Sequence, residues 1–65
     1  MTETEILDTL LGMSKDLANE LCLHNGYTTR VTGSDGEHFI VTMDFRMDRI
    51  NLILIDDIVT ESSIG

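Results

Sequence analysis

The run Ile50-Asn51-Leu52-Ile53-Leu54-Ile55 is the most apolar stretch of the chain, with Asp48-Arg49 before it and Asp56-Asp57 after it. A short apolar run rich in isoleucine and closed by charge at both ends predicts a central strand. That strand commits the chain to a sheet, and the remaining residues have to cover it. With 65 residues there is room for one domain, spanning residues 1–65. A chain of this size buries only about 60% of the surface that its unfolded form exposes, so the core is thin. Function is expected on the surface, and no enzyme pocket is expected.

The cover comes from the N-terminal third. Ile6, Leu7, Leu10, Leu11, Leu17, Ala18, Leu21 and Cys22 recur at three- and four-residue spacings, which places them on one helical face. Gly12 interrupts that face. Either one long helix tolerates it, or a first segment ends near Gly12 and the helix starts at an N-cap on Ser14, with Asp16 in its first turn. Glycine inside a helix costs about 1 kcal/mol relative to alanine, which favours the second reading. Asn25-Gly26 supplies a stop, so the helix is expected to end near His24. Residues 1–10 are expected to be a less ordered N-terminal arm.

Beyond the helix, Tyr27–Val31 and His38–Thr42 read as strands around the turn chemistry of Thr32-Gly33-Ser34-Asp35-Gly36, a candidate hairpin. Ile58-Val59 predicts a short last strand before the polar residues Thr60–Ser63. The glycine-rich turn lacks the lysine and the following helix that a phosphate-binding loop needs.

Charge narrows the partners. Twelve acidic residues against four basic ones give a net charge of -8, which repels nucleic-acid phosphates and anionic membranes. No apolar run approaches the ~20 residues of a membrane span, and the acidic start Met1–Glu5 is not that of a secretory signal. The single cysteine, Cys22, forms no intramolecular disulfide and is expected to be a small buried apolar residue in a reduced, cytoplasmic protein. Cys22 and His24, two apart on a helix, diverge too far to act as a nucleophile pair. His24 and His38 lack the ligand cluster that zinc requires, so neither metal nor cofactor is expected. Leu7, Leu10, Leu17 and Leu21 fall near heptad spacing, which leaves a helix-mediated homodimer as an alternative to a monomer.

The segment Val41-Thr42-Met43-Asp44-Phe45-Arg46-Met47-Asp48-Arg49 alternates apolar and polar residues between two apolar strands and predicts extended backbone. In the simplest reading it is an edge strand or a connection with Met43, Phe45 and Met47 turned to the core. Together with Ile50, however, it closely resembles the reactive loop of the potato inhibitor I family of serine protease inhibitors, the chymotrypsin inhibitor 2 and eglin type, and of its short bacterial relatives. Leu11-Gly12-Met13-Ser14 is similar to the family's approach to its single helix, Ile50–Asp56 to its central strand, and Ile58-Val59 with Ile64-Gly65 to its closing segment.

The resemblance implies an α+β fold: one helix packed on a small mixed β-sheet, with an extended, exposed reactive loop. It also implies a binding loop of Val41, Thr42, Met43, Asp44, Phe45 and Arg46, a scissile bond between Met43 and Asp44, and a subtilisin-like or chymotrypsin-like serine protease as partner. In the family two basic residues beneath the loop hold it extended. Arg49 matches the first, and Asn51 stands where the plant members usually have the second. Arginine offers a charged fork of donors and asparagine only a neutral amide, so the resemblance implies a less rigid loop here. The spacing from Gly36 to Met43 is also longer than the family's. A non-inhibitory module, whose acidic surface engages a basic protein or imitates nucleic-acid charge, is the alternative function.

Overall fold

The computed structural model describes residues 1–65. Its elements are α1 (Glu3–Leu10), α2 (Lys15–His24), β1 (Thr28–Ser34), β2 (Glu37–His38), β3 (Arg49–Ile55) and β4 (Ile58–Ile64). Both helices pack over one mixed sheet of strand order β2-β1-β3-β4. β1 runs parallel to β3, and the other two pairings are antiparallel. The α+β class holds, and the expected single helix is replaced by two.

Residues expected as a loose arm carry the first of these helices. Thr2 and Glu5 form a reciprocal capping box: the Thr2 hydroxyl accepts from the Glu5 N–H at 3.2 Å, and the Glu5 carboxylate accepts from the Thr2 N–H at 3.0 Å. Donation to the Glu5 carboxyl from the Thr2 backbone N–H first, and from its hydroxyl second, holds it below its ordinary pKa. The capped helix puts Ile6 and Leu10 fully into the core. α2 begins at Ser14, whose hydroxyl accepts from the Leu17 N–H, and stops at His24, with Gly26 in the left-handed region at φ 85°.

Gly12 ends α1 for a reason beyond propensity. At φ +87° it takes a conformation that strains any other residue, and its N–H donates to the Val59 carbonyl at 2.8 Å. Met13 then accepts from the Val59 N–H at 2.9 Å, so the interhelical link pairs with the outer edge of β4 and masks part of it. This break also undoes the leucine seam. Leu10 is in the core, Leu17 is exposed, and no continuous helix carries Leu7, Leu10, Leu17 and Leu21 together.

The central strand forms where expected. Ile50, Leu52 and Leu54 face the helices and join Ile6, Leu10, Ala18, Cys22 and Val59 in a core without buried polar side chains. Cys22 is one of these apolar contacts, and burial pushes its thiol pKa up. β4 is longer than expected, because Thr60–Ser63 pair with β3 through their backbones while their side chains stay polar. The turn between these strands uses Asp56 and Asp57 at φ 51° and 61°, the paired positive values that a two-residue type I′ hairpin requires.

The β1–β2 hairpin is shorter than expected. Its register covers only Gly33↔His38 and Ser34↔Glu37, and after the Phe39 N–H donates to the Thr32 carbonyl the chain leaves the sheet. Residues 39–48 then cross to the start of β3, forming the bridge that the parallel β1/β3 pair requires. No helix is long and apolar enough to cross a membrane.

Candidate functional site: a clamped loop

The bridge between β2 and β3 contributes nothing to the core. Ile40, Met43, Phe45 and Met47 are all exposed, Met43 at 96%. A core-facing edge strand is therefore excluded. A segment without apolar anchors needs polar ones, and two guanidinium groups supply them.

Arg49, the first residue of β3, lies beneath the loop with its side chain only 12% exposed. One terminal nitrogen donates to the Asp44 carbonyl and to the Gly65 carbonyl, at 2.6 Å each. Nε donates to the same Gly65 oxygen at 3.2 Å, and the other terminal nitrogen lies 3.5 Å from the Asp44 carboxylate. The side-chain ion pair is the weaker part of this arrangement, because Asp44 is half exposed and such pairs contribute about 0–1 kcal/mol. Hydrogen bonds from a charged donor to main-chain carbonyls contribute about 1.5–3 kcal/mol, so the main-chain contacts dominate.

The second guanidinium comes from a strand the sequence did not implicate. Arg30 sits in the middle of β1, where Asn51 on β3 is its register partner. Its Nε donates to the Asn51 side-chain oxygen at 3.0 Å. One terminal nitrogen donates to both the carbonyl and the hydroxyl of Thr42, at 3.2 Å each. Asn51 thus reaches the loop through Arg30, which lies on the adjacent strand. A charged side chain inside a β-branched strand was the available signal for Arg30, since such a residue needs an acceptor nearby. Recognising that acceptor required the β1/β3 register, which no local pattern encodes.

The two clamps grip opposite sides of Met43. Thr42 and Asp44 give their carbonyls to Arg30 and Arg49, while no backbone–backbone hydrogen bond within the chain uses the N–H or carbonyl of Val41, Met43 or Phe45. The loop thereby keeps alternate main-chain groups open to pairing with an added strand. Val41 is half-buried over the hollow formed with Arg30, Asn51 and Ile64.

The C-terminal pair Ile64-Gly65 completes the base. A side chain on Gly65 would put its Cβ 2.9 Å from the Asn51 amide nitrogen and into contact with the Phe45 ring, so glycine leaves room for the loop to sit down. Arg46 pairs with Asp48 at 3.2 Å, both about half exposed. That pairing raises the Arg46 pKa and lowers the Asp48 pKa. The Arg46 N–H donates to the Gly65 carbonyl.

The Asp44 carboxyl is held below its ordinary value near 3.8, first by the Thr42 hydroxyl, then by its own backbone and by the Arg49 and Arg30 charges. Three of the four cations of the chain, Arg30, Arg46 and Arg49, therefore gather at the loop end, against a net charge of -8. No group of three or more metal-ligating side chains comes together in the fold. No protein-family model matches the chain, and no curated protein matches it.

Proposed function

We propose that the protein is a serine protease inhibitor that offers the Met43–Asp44 bond, within the loop Val41–Arg46, to a subtilisin-like or chymotrypsin-like enzyme. The observation that carries this reading is the paired clamp: Arg30 holds Thr42 and Arg49 holds Asp44, while Met43 between them stands free. A flexible peptide loses conformational freedom when it binds, and a loop already held extended avoids much of that cost. The open backbone groups of Val41, Met43 and Phe45 supply strand-like pairing with the enzyme. Met43, long, unbranched and apolar, fills the primary specificity pocket. If the enzyme cuts the bond, the clamps keep both new ends in place, which favours resynthesis over release. The inhibitor works as a monomer and needs no cofactor.

The test is titration of a subtilisin-type and a chymotrypsin-type protease with the parent and with Met43→Gly. Inhibition by the parent that is lost in the variant supports the reading. Absence of inhibition by the parent, or equal inhibition by both proteins, overturns it.

A further inference from the structure

The four methionines differ in their surroundings. Met43 is 96% exposed, Met47 76% and Met1 64%, whereas Met13 is partly buried and packs against the core between the two helices. Only Met43 is both open to solvent on every side and placed between the two clamped carbonyls. Oxidation of a thioether needs access to a sulfur lone pair, and it turns a flexible apolar side chain into a polar, chiral one.

We propose that Met43 is a modification site, and that its oxidation by a peroxide switches the loop off. This rests on the inhibitor reading above and adds a regulation of the same site. In the step, the Met43 sulfur lone pair attacks one peroxide oxygen and the O–O bond breaks. Sulfur loses two electrons and gains the oxygen, and hydrogen peroxide is reduced to water, so no proton is left over. The product carries a strong acceptor at the tip of the side chain. In an apolar specificity pocket that acceptor loses its water and finds no donor, which weakens binding by about 10- to 100-fold.

The fold is untouched by the change, because Met43 contributes nothing to the core and the clamps act on the backbones of its neighbours. The switch is reversible by methionine sulfoxide reductase, since sulfoxide is the reducible stage of methionine oxidation.

The test treats the intact protein with graded hydrogen peroxide. Sulfoxide at each methionine is measured by peptide mass spectrometry, and the inhibition constant is measured in parallel on the same samples. The expected result is loss of inhibition in proportion to sulfoxide at Met43, an unchanged circular dichroism spectrum, slow oxidation of Met13, and recovery of inhibition on reductase treatment. Met47→Leu keeps the peroxide sensitivity, and in Met43→Leu the ratio of treated to untreated inhibition stays near one. An unchanged inhibition constant with Met43 fully oxidised, or an equal loss in Met43→Leu, overturns the switch and leaves the inhibitor reading standing. A parent that does not inhibit before any peroxide is added overturns both.

Discussion

The two ends of this molecule are held by different physics. Under the helices, Ile6, Leu10, Ala18, Cys22, Ile50, Leu52, Leu54 and Val59 are buried with no polar side chain among them. At the other end, residues 39–48 add no side chain to that core, and two guanidinium groups hold them by their carbonyls. Apolar burial is non-directional and tolerates small displacements, so it suits a core that must only be filled. Charged hydrogen bonds fix direction, so they suit a segment whose backbone must keep one shape while exposed to water. The two regions meet at β3, which sends Ile50, Leu52 and Leu54 to the core and places Arg49 and Asn51 beneath the loop. Substitutions on alternate positions of that strand therefore separate stability from loop rigidity.

The largest expected effect is on the core side. Leu52→Ala removes a side chain that is 1% exposed and leaves a cavity, with an expected loss of about 2–5 kcal/mol in chemical denaturation. In a domain of this size that is a large share of the total stability. A loss well under 1 kcal/mol would mean that the helices do not pack on β3 as described.

Arg49→Ala acts on the other side of the strand. It deletes the donors to the Asp44 and Gly65 carbonyls, so protease cleavage of Met43–Asp44 is expected to accelerate by about 30-fold, equivalent to about 2 kcal/mol, while the denaturation midpoint shifts little. If cleavage and midpoint change together, the loop and the core are not separable.

A smaller and sharper effect is expected across the β1/β3 register. Arg30→Asn should speed cleavage by about 10-fold, and adding Asn51→Arg should restore most of the resistance, because positions 30 and 51 are register partners and line the same hollow as Thr42. Failure of the exchange to rescue would confine the role of Arg30 to the stability of β1.

The smallest effect concerns pH. The Asp44 carboxyl has a depressed folded pKa, so its hold on the loop is fully present above the ordinary value near 3.8 and is lost as pH falls through the depressed value. The Arg49 Nε–H resonance, followed by nuclear magnetic resonance down an acid titration, should move only in that low window, and Asp44→Asn should remove the transition. A transition well above the ordinary value would mean that the carboxylate is not favoured by its neighbours.

The same contrast explains what could be read from the chain. β3 was legible because Ile50–Ile55 is apolar and bounded by charge, and α2 because Ser14 and Gly26 mark its ends. β4 was read too short, since Thr60–Ser63 pair through backbone groups that leave no trace in side-chain hydropathy. α1 was legible only in part: Ile6, Leu7, Leu10 and Leu11 have helical spacing, but its start is capped by a reciprocal pair, Thr2 with Glu5, in a stretch whose acidic composition looks solvated. Arg49 was reached through the resemblance to the inhibitor loop. Arg30 was not, because it is twelve residues from Thr42 and becomes a neighbour only once β1 and β3 align in parallel.

The most direct measurement of the clamped loop is a mass-spectrometric time course of the intact protein with catalytic amounts of a subtilisin-type protease, run beside the Arg30→Ala/Arg49→Ala double variant. The account predicts a single slow cut between Met43 and Asp44 in the parent, with both fragments remaining associated, and rapid digestion of the double variant starting at that bond. Equal and rapid digestion of both proteins, or a first cut elsewhere in the chain, would contradict it.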